Sequence, residues 1–297
     1  MSSLSSTSFG WPHQRRCAVA LTFDVDGETT AYALDREHAD QRLTLMSEYA
    51  YETRVAVPRL LDLLELYEVR ASFFSPGRVV ELHPEVARSI VARGHELGHH
   101  GYMHERPVGL SDAQEERVLL KGIEVLASVT GRRPLGYRSP AWDLKPSSPG
   151  LLVRHGFAFD SSLMGHDLPY WIDTPDGRLL ELPVHWRQED WPLLGFASPA
   201  RVGGSGMAAP SAAFEILAEQ FEGLYERGAL CVLTLHPSVI GRPAGLRLLE
   251  RLLRHLRGFP RVWWASLGEL CAYCADPAVA PTLPVASTAV PSANWLV

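Results

Sequence analysis

Two short stretches of the sequence contain the residue types that hold a catalytic metal ion. Asp24 and Asp26 follow an apolar run at residues 18–23, which predicts a buried strand that ends at the two carboxylates. His100 and His104 stand four residues apart, so one helical turn would place both imidazoles on one face. Two imidazoles and one carboxylate make a three-ligand site, and catalytic centres use that number because a position stays open for water or substrate.

The histidine-rich stretch also matches the H-E-x-x-H pattern of zinc proteases, beginning at His95. That pattern binds zinc only from a helix, whereas three glycines lie between positions 94 and 101, and each costs a helix interior ~1 kcal/mol. We therefore favour a strand at residues 96–99, followed by a turn or short helix that carries His100 and His104. In this interpretation His95 and His99 support the site or pack in the core.

The composition is that of an ordinary globular protein, with 297 residues, 46% hydrophobic and 21% charged. The net charge of −6 disfavours nucleic acid as a partner, since phosphate binding needs basic patches. The first residues lack an apolar signal-peptide core, and no apolar run approaches the ~20 residues of a membrane span. The four cysteines do not suggest disulfides, and the CxxC at Cys271 and Cys274 is expected to pack in the core. We therefore expect a cytoplasmic protein that binds neither nucleic acid nor membrane.

Apolar strand-like runs alternate with amphipathic helix-like segments along most of the chain. The strand-like runs are residues 18–23, 70–74, 96–99, 135–138, 157–159, 180–184, 230–235 and 261–264. The helical patterns include residues 111–129, 212–227, 246–257 and 266–273. This alternation predicts an α/β fold with a parallel sheet in one domain, and seven or eight such units favour a barrel. The aspartates, His100, Arg138 and His236 then fall at carboxyl ends of strands, where barrel active sites are built.

We divide the chain into an N-terminal extension at residues 1–16, a catalytic barrel at 17–274 and a tail at 275–297. Pro, Ala, Ser and Thr dominate the tail, which predicts a poorly ordered or surface-draped segment. Residues 201–210 are rich in glycine but lack the Gly-Lys-Ser/Thr ending of a phosphate loop. We expect a flexible connector there, with a mobile lid as the alternative.

Five motifs, taken together and in this order, resemble those of the polysaccharide deacetylase family. They are Thr-Phe-Asp-Val-Asp-Gly at 22–27, Gly-His-His-Gly-Tyr-Met-His at 98–104, Gly-Tyr-Arg-Ser-Pro-Ala-Trp at 136–142, Phe-Asp-Ser-Ser at 159–162 and Leu-Thr-Leu-His-Pro at 233–237. The resemblance covers roughly residues 17–270. Within the family, the sequence is most similar to a branch of cyclic imide hydrolases, allantoinase-like proteins and a few peptidoglycan deacetylases. The resemblance implies a deformed (β/α) barrel that hydrolyses a non-peptide C–N bond.

The resemblance also assigns roles to the two metal-site stretches. Asp24 would be the general base, and Asp26 would bind a divalent metal, zinc in our prediction, together with His100 and His104. Many family members have adjacent aspartates, whereas Val25 separates the two here. The geometry of the metal site is therefore expected to differ slightly from theirs.

The remaining motifs would supply the residues around this centre. Arg138 would pair with Asp24 and hold it ionised, as an opposite charge within ~4–6 Å does. His236 would be the general acid, and Asp160 would orient it, although the fourth motif lacks the usual tryptophan. The aromatic side chains predicted to contact substrate are Tyr137, Trp142, Tyr170 and Trp191.

These roles suit amide hydrolysis, in which the carbonyl is weakly electrophilic and the nitrogen leaves poorly. A divalent metal polarises the carbonyl and lowers the pKa of bound water from 15.7 toward ~7. Asp24 would take the remaining proton, and His236 would protonate the nitrogen, a step typically worth ~10²–10⁴ in rate. Backbone N–H groups near Ala141 or Trp142 would join the metal in stabilising the oxyanion.

Two substrate classes fit this chemistry. The expected cytoplasmic location and the resemblance to the branch put a small amide or cyclic imide first, with an N-acetylated sugar, glycan or peptidoglycan fragment as the alternative. A metal-free hydrolase and a non-catalytic binding protein are less favoured, because the metal ligands, the base and the acid are all present. Neighbouring subunits help close the site in this branch, so the resemblance also implies a homo-oligomer.

Overall fold

The computed structural model describes residues 9–195 and 207–288. The strands of this part form one sheet and are β1 (Cys17–Asp24), β2 (Ser72–Ser75), β3 (Glu96–His99), β4 (Gly136–Tyr137), β5 (Phe159–Asp160), β6 (Tyr170–Thr174), β7 (Gly177–Glu181), β8 (Leu230–Leu235), β9 (Val262–Trp264) and β10 (Val285–Ser287). Their order is β10-β6-β7-β5-β4-β3-β2-β1-β8, and β9 also pairs with β1. The pairings are parallel except that between β6 and β7.

Helices connect the strands. In the described ranges they are α1 (Thr29–Leu34), α2 (Leu43–Tyr51), α3 (Val57–Leu66), α4 (Gly77–Leu82), α5 (Pro84–Ala92), α6 (Asp112–Thr130), α7 (Ser148–Arg154), α8 (Trp191–Leu194), α9 (Pro210–Arg227), α10 (Pro237–Ile240), α11 (Pro243–Arg257) and α12 (Leu267–Cys274). A π-helical turn, Glu52–Ala56, joins α2 to α3.

Strand β1 explains how the sequence separates core from site. All eight of its residues are buried, between β2 on one side and β8 on the other. Successive side chains point to opposite faces of a strand. Leu21 and Phe23 join the apolar cluster that the helices cover. Thr22 and Asp24 point to the opposite face, where both accept hydrogen bonds from Arg138.

The amphipathic helices cover the outer face of the sheet. Capping boxes start α6 at Ser111 and α12 at Ser266, and Gly131 ends α6 in the left-handed conformation. The predicted helices at 111–129, 212–227, 246–257 and 266–273 correspond to α6, α9, α11 and α12, with bounds that differ by three residues or fewer. The leucines of α11 that face the core are Leu248, Leu249, Leu252, Leu253 and Leu256.

The predicted α/β fold is confirmed. One backbone bridge brings the chain after β7 to the edge strand β8. An isolated parallel bridge between Glu189 and Thr234 joins the chain beyond β7 to β8. The side chain of Gln188 supports this seam by accepting the Val232 N–H at 2.9 Å. The described strands therefore do not form a continuously hydrogen-bonded ring.

Strands β6 and β10 lie outside the predicted runs. The antiparallel hairpin of β6 and β7 turns at Pro175, Asp176 and Gly177, which are residues that signal a turn. β10 lies in the predicted tail, where it pairs with β6, and Leu283 just before it is buried. The rest of the tail, 289–297, lies outside the described residues, as do positions 201–206 of the glycine-rich connector.

The described part of the N-terminal extension packs onto the domain. Trp11 is buried, and its Nε1–H donates to the carbonyl of Gly228 at 2.8 Å. Cys271 and Cys274 are buried free thiols, in agreement with the predicted core packing. Within residues 9–195 and 207–288, no helix combines the length and apolarity needed to cross a membrane.

Candidate metal centre and active site

The predicted metal ligands meet at the carboxyl ends of β1 and β3. Asp26 follows β1 by two residues, and His100 is the first residue after β3. Asp26 Oδ1 lies 3.4 Å from His100 Nε2, and Asp26 Oδ2 lies 3.6 Å from His104 Nε2. One ligand atom from each of the three side chains lies within 4.8 Å of the others. These separations leave room for a single ion between two imidazoles and a carboxylate.

The chemistry of these atoms fits a divalent metal ion. Asp26 Oδ1 is buried and has no hydrogen-bond partner among the described residues, a situation that costs about 1–3 kcal/mol unless a ligand relieves it. His100 donates its Nδ1–H to the carbonyl of Arg138 at 2.7 Å, so its Nε2 carries the lone pair that faces Asp26. Burial lowers the pKa of His104 to about 4, which keeps that imidazole neutral at pH 7.

The segment that carries His100 and His104 is a loop. The prediction that one helical turn aligns the two imidazoles is wrong, and the alternative prediction of a turn is confirmed. The carboxylate of Glu105 shapes the loop by accepting the N–H groups of Tyr102 at 3.0 Å and Met103 at 2.7 Å. His104 has a φ of +61°, a conformation that costs a non-glycine residue ~1–3 kcal/mol and clusters at functional sites.

The other two histidines of this stretch are buried, and His99 supports the loop. His95 Nδ1 accepts the N–H of Ala71, the residue before β2, at 3.2 Å. His99 is fully buried, bonds the carbonyl of Leu119 through Nε2 at 3.1 Å and accepts the Gly101 N–H through Nδ1 at 3.1 Å. His99 thereby fixes the backbone directly after His100.

Asp24 forms a buried ion pair with Arg138, as the resemblance implied. Arg138 Nη1 donates to Asp24 Oδ1 at 2.8 Å and to Thr22 Oγ1 at 2.7 Å, and Nε donates to the carbonyl of Ser161 at 2.9 Å. Burial alone would raise the pKa of Asp24, but the charge and hydrogen bond of Arg138 hold that pKa below its usual value. Asp24 is therefore ionised at neutral pH, as a general base must be.

His236 follows β8 and faces the metal ligands. Its Nε2 lies 4.0 Å from Asp26 Oδ2, and its Nδ1–H donates to Asp190 Oδ1 at 2.8 Å. The ring of Trp191 lies 5.3 Å from the imidazole. Burial alone would lower the pKa of His236, but the hydrogen bond and charge of Asp190 raise it well above its usual value. The imidazole therefore holds a proton at neutral pH.

The prediction that Asp160 orients His236 is wrong, because Asp190 occupies that position. Asp160 instead accepts the Ser162 hydroxyl at 2.8 Å and lies opposite Glu181 in the register of β5 and β7. Burial raises the pKa of both carboxyl groups. Asp160 and Glu181 thus form a buried carboxyl pair whose hydrogen bonds hold the backbone and side chain of Ser162.

Glu189 reaches the site and was not predicted. Its Oε1 lies 3.9 Å from His236 Nε2, while its Oε2 is buried with no partner among the described residues. Burial raises the pKa of Glu189 to about 8, so at pH 7 the group is mainly a neutral acid that can donate a hydrogen bond. The available sequence signal was the acidic pair Glu189-Asp190 directly before Trp191.

Two of the predicted substrate-contacting aromatic residues lie in the core, so those predictions are wrong. Tyr137 and Tyr170 are buried in an apolar cluster with residues of α6 and α7, and Tyr137 stacks on His99 with ring centroids 5.4 Å apart. Tyr137 precedes Arg138, and adjacent side chains of an extended segment point to opposite faces. Tyr137 therefore faces the helices when Arg138 faces the site.

The other two aromatic residues lie near the carboxyl ends of the strands. Trp142 stacks on Trp186 with ring centroids 4.5 Å apart. Trp191 contacts His236 and also lines a cavity of about 940 Å³, whose wall includes Tyr49, Leu194 and Ser238. This cavity adjoins the side of the site at which His236 lies.

Known proteins are similar to this chain over most of its length. Residues 13–158 match the family model of polysaccharide deacetylases. A peptidoglycan deacetylase of Helicobacter pylori is 30% identical over 278 residues, which cover 85% of this chain and 94% of that protein. The chain belongs to the polysaccharide deacetylase family. A peptidoglycan deacetylase-like protein of Gibberella zeae is 28% identical, with 90% of this chain and 89% of that protein covered.

Solved structures of family relatives agree with this assignment. A Mycobacterium smegmatis protein assigned to the polysaccharide deacetylases has a TM-score of 0.89 and 38% identity, and the match covers 95% of this chain and 96% of that one. An allantoinase has a TM-score of 0.76 and 26% identity, over 91% of this chain and 93% of that one. The predicted resemblance to the family is confirmed, including its likeness to an allantoinase.

His100→Ala is expected to abolish metal binding while the fold survives. Loss of one of three protein ligands weakens the site, whereas the removed ring makes a single hydrogen bond to a backbone carbonyl. Metal content after dialysis against zinc, measured by mass spectrometry, and circular dichroism check the two halves of this prediction. His155→Ala, at a histidine that pairs with Glu116 far from the site, is the matched control. Full zinc occupancy in His100→Ala would contradict the assignment.

Proposed function

We propose that the protein is a metal-dependent N-deacetylase that releases acetate from an N-acetylated amino sugar of a glycan or peptidoglycan fragment. One observation carries the proposal: three side chains that could hold a metal ion, an ionised aspartate and a protonated histidine converge at one end of the sheet. The peptidoglycan deacetylase relative supports the substrate class, because the similarity extends over nearly its whole length.

Asp26, His100 and His104 would hold the metal, which we take to be zinc. Such an ion, when bound, polarises the amide carbonyl and makes a bound water acidic. Asp24 accepts the proton of the attacking water, since Arg138 keeps this carboxylate ionised. The ion pair also fixes the direction of the carboxylate, because Arg138 itself donates a hydrogen bond to the carbonyl of Ser161, the residue after β5.

His236 protonates the leaving nitrogen from the opposite side. Asp190 accepts from Nδ1, so the proton at Nε2 is the one directed toward the metal ligands. Glu189 lies beside His236 Nε2 and offers a second hydrogen-bonding group to the leaving amine. The Trp142 N–H donates to the carbonyl of Ser139, so it is not the free oxyanion donor that was predicted at that residue.

The sequence analysis ranked small amides and cyclic imides first, and the relatives favour the alternative. Two relatives that match 85% and 90% of the chain are a peptidoglycan deacetylase and a peptidoglycan deacetylase-like protein. The cavity of about 940 Å³ beside Trp191 is large enough for a ligand bigger than a small imide. The similarity to an allantoinase supports small-amide hydrolysis as the second candidate.

Acetate release separates the two candidates. With zinc added, the protein is expected to release acetate from N-acetylglucosamine oligosaccharides or from peptidoglycan fragments, measured by a coupled acetate assay. A panel of cyclic imides, followed by loss of their ultraviolet absorbance, is expected to react at least tenfold more slowly in kcat/KM. His100→Ala controls for contaminating activity. Imide opening without acetate release would overturn the proposed substrate and favour the second candidate.

Two further predictions accompany the proposal. A homo-oligomer remains a prediction, which light scattering of the purified protein measures directly. The cytoplasmic location also remains a prediction, and under the proposed function it favours soluble wall fragments over intact peptidoglycan.

A further inference from the structure

The side chain of Glu52 joins the metal-ligand loop to the general-acid loop. It is fully buried, and its two oxygens accept hydrogen bonds from two distant parts of the chain. Oε1 accepts the Gly27 N–H at 2.8 Å, and Oε2 accepts the Ser238 N–H at 3.2 Å. Gly27 directly follows the metal ligand Asp26, and Ser238 lies two residues beyond the general acid His236.

The backbone around Glu52 is also unusual. Glu52 begins the π-helical turn between α2 and α3. Such turns are rare, and they occur frequently at functional sites. A regular helix would direct the residue at this position differently, so the extra residue of the turn allows the carboxylate to reach both loops.

Packing alone does not explain why an acidic side chain is buried at position 52. A buried polar group costs free energy unless hydrogen bonds compensate for the lost contact with water, and an apolar side chain of similar volume would fill the same space. The hydrogen bonds of Glu52 go to the backbone next to Asp26 and His236, through the N–H groups of Gly27 and Ser238. This pattern is typical of a residue that sets the relative position of two functional groups.

We propose that Glu52 is a positioning residue that fixes the distance between the metal ligand Asp26 and the general acid His236. The two loops follow β1 and β8, which pair directly, but their hydrogen-bonded register ends at Phe23 and Leu235. Beyond these residues the strands no longer hold the loops together. The side chain of Glu52 connects the two loops beyond that point, because it accepts one hydrogen bond from each of them. The inference rests on the proposed function, because it takes its two partners from that mechanism.

Glu52→Met removes both acceptors at similar volume, and Glu52→Gln replaces one acceptor by a donor. Glu52→Met is expected to weaken zinc binding about 10- to 100-fold, the usual effect of losing a supporting contact. It is also expected to lower kcat about 10- to 100-fold with a smaller change in KM, because the acid and the metal site no longer align. Glu52→Gln is expected to fall between Glu52→Met and the wild type in both measurements.

Zinc dissociation constants from chelator competition, steady-state kinetics and thermal melting give three independent readouts. Glu65→Met, an exposed residue of α3 that pairs with Arg93, is the control and should match the wild type. Wild-type zinc affinity and kcat in folded Glu52→Met would overturn the inference while leaving the proposed function intact. Failure of both Glu52 variants to fold would assign the residue to stability and would also overturn it. A wild-type protein that binds no zinc would overturn the proposed function and this inference together.

Discussion

Asp24→Asn is expected to lower kcat by about a thousandfold while the protein keeps its metal. General base catalysis is typically worth 10²–10⁴ in rate, and an amide cannot take the proton of the attacking water. Asp24 is not one of the three clustered metal ligands, so zinc content should stay at the wild-type level. The amide oxygen of Asn can still accept from Arg138, so this hydrogen bond is kept, whereas the loss of the buried charge pair is expected to lower stability.

Steady-state kinetics on the best acetylated substrate and zinc analysis of the same sample measure this prediction. Asp62→Asn is a matched control, since this aspartate is largely exposed on α3 and pairs with Arg93. A near-normal kcat in Asp24→Asn would place the base elsewhere. Loss of zinc in Asp24→Asn would instead make Asp24 part of the metal site, which the position of Asp24 outside the group of Asp26, His100 and His104 disfavours.

The convergence of Asp24, Asp26, His100 and His104 could be predicted because short motifs and strand ends determine it. Asp24 and Asp26 follow an uninterrupted apolar strand, and His100 follows another strand two places along the sheet. The carboxyl ends of parallel strands meet at one edge, so the sequence brings these groups together without knowledge of the loops. The loop conformation itself was harder to predict, because Glu105 and the left-handed His104 decide it.

The partner of His236 could not be predicted in the same way. Asp190 lies 46 residues from His236 and reaches it because the chain beyond β7 bridges β8 at Glu189 and Thr234. No periodicity or spacing in the sequence encodes that crossing. Asp160 follows a strand too, but its register opposite Glu181 directs it to another buried carboxyl group.

The tyrosine predictions failed for a related reason. A residue type that suits a binding pocket also suits the space between a helix and a sheet, and the face of the strand decides between the two. Tyr137 and Arg138 are adjacent, so only one of them can face the site, and the buried ion pair with Asp24 gives that position to Arg138. Because Arg138 faces the site, the neighbouring Tyr137 must face the helices and cannot contact substrate.

Arg138→Met is expected to reduce the free energy of unfolding by about 3–5 kcal/mol at pH 7, because it leaves a buried carboxylate without its partner. Arg138 is fully buried and connects the end of β4 to β1 through Asp24 and Thr22 and to the chain after β5 through Ser161. Its guanidinium lies 4.4 Å from the ring centroid of Phe74. Kcat should fall as well, since Asp24 loses the charge that keeps it ionised. Urea denaturation followed by circular dichroism measures the stability change.

The dependence of this loss on pH and on Asp24 tests its cause. The pKa of Asp24 is lowered in the folded wild type, so the ion pair stabilises the fold above the unfolded pKa of ~3.9 and loses this effect as pH falls through the folded value. In Arg138→Met, burial raises the pKa of Asp24, so the deficit relative to wild type should be largest at neutral pH and shrink toward pH 4. The double variant Arg138→Met/Asp24→Asn should be more stable at pH 7 than Arg138→Met alone, because no buried charge remains unpaired. Equal deficits at pH 7 and pH 4.5, or no recovery in the double variant, would assign the loss to packing around Phe74 and Ser161 and not to the charge of Asp24.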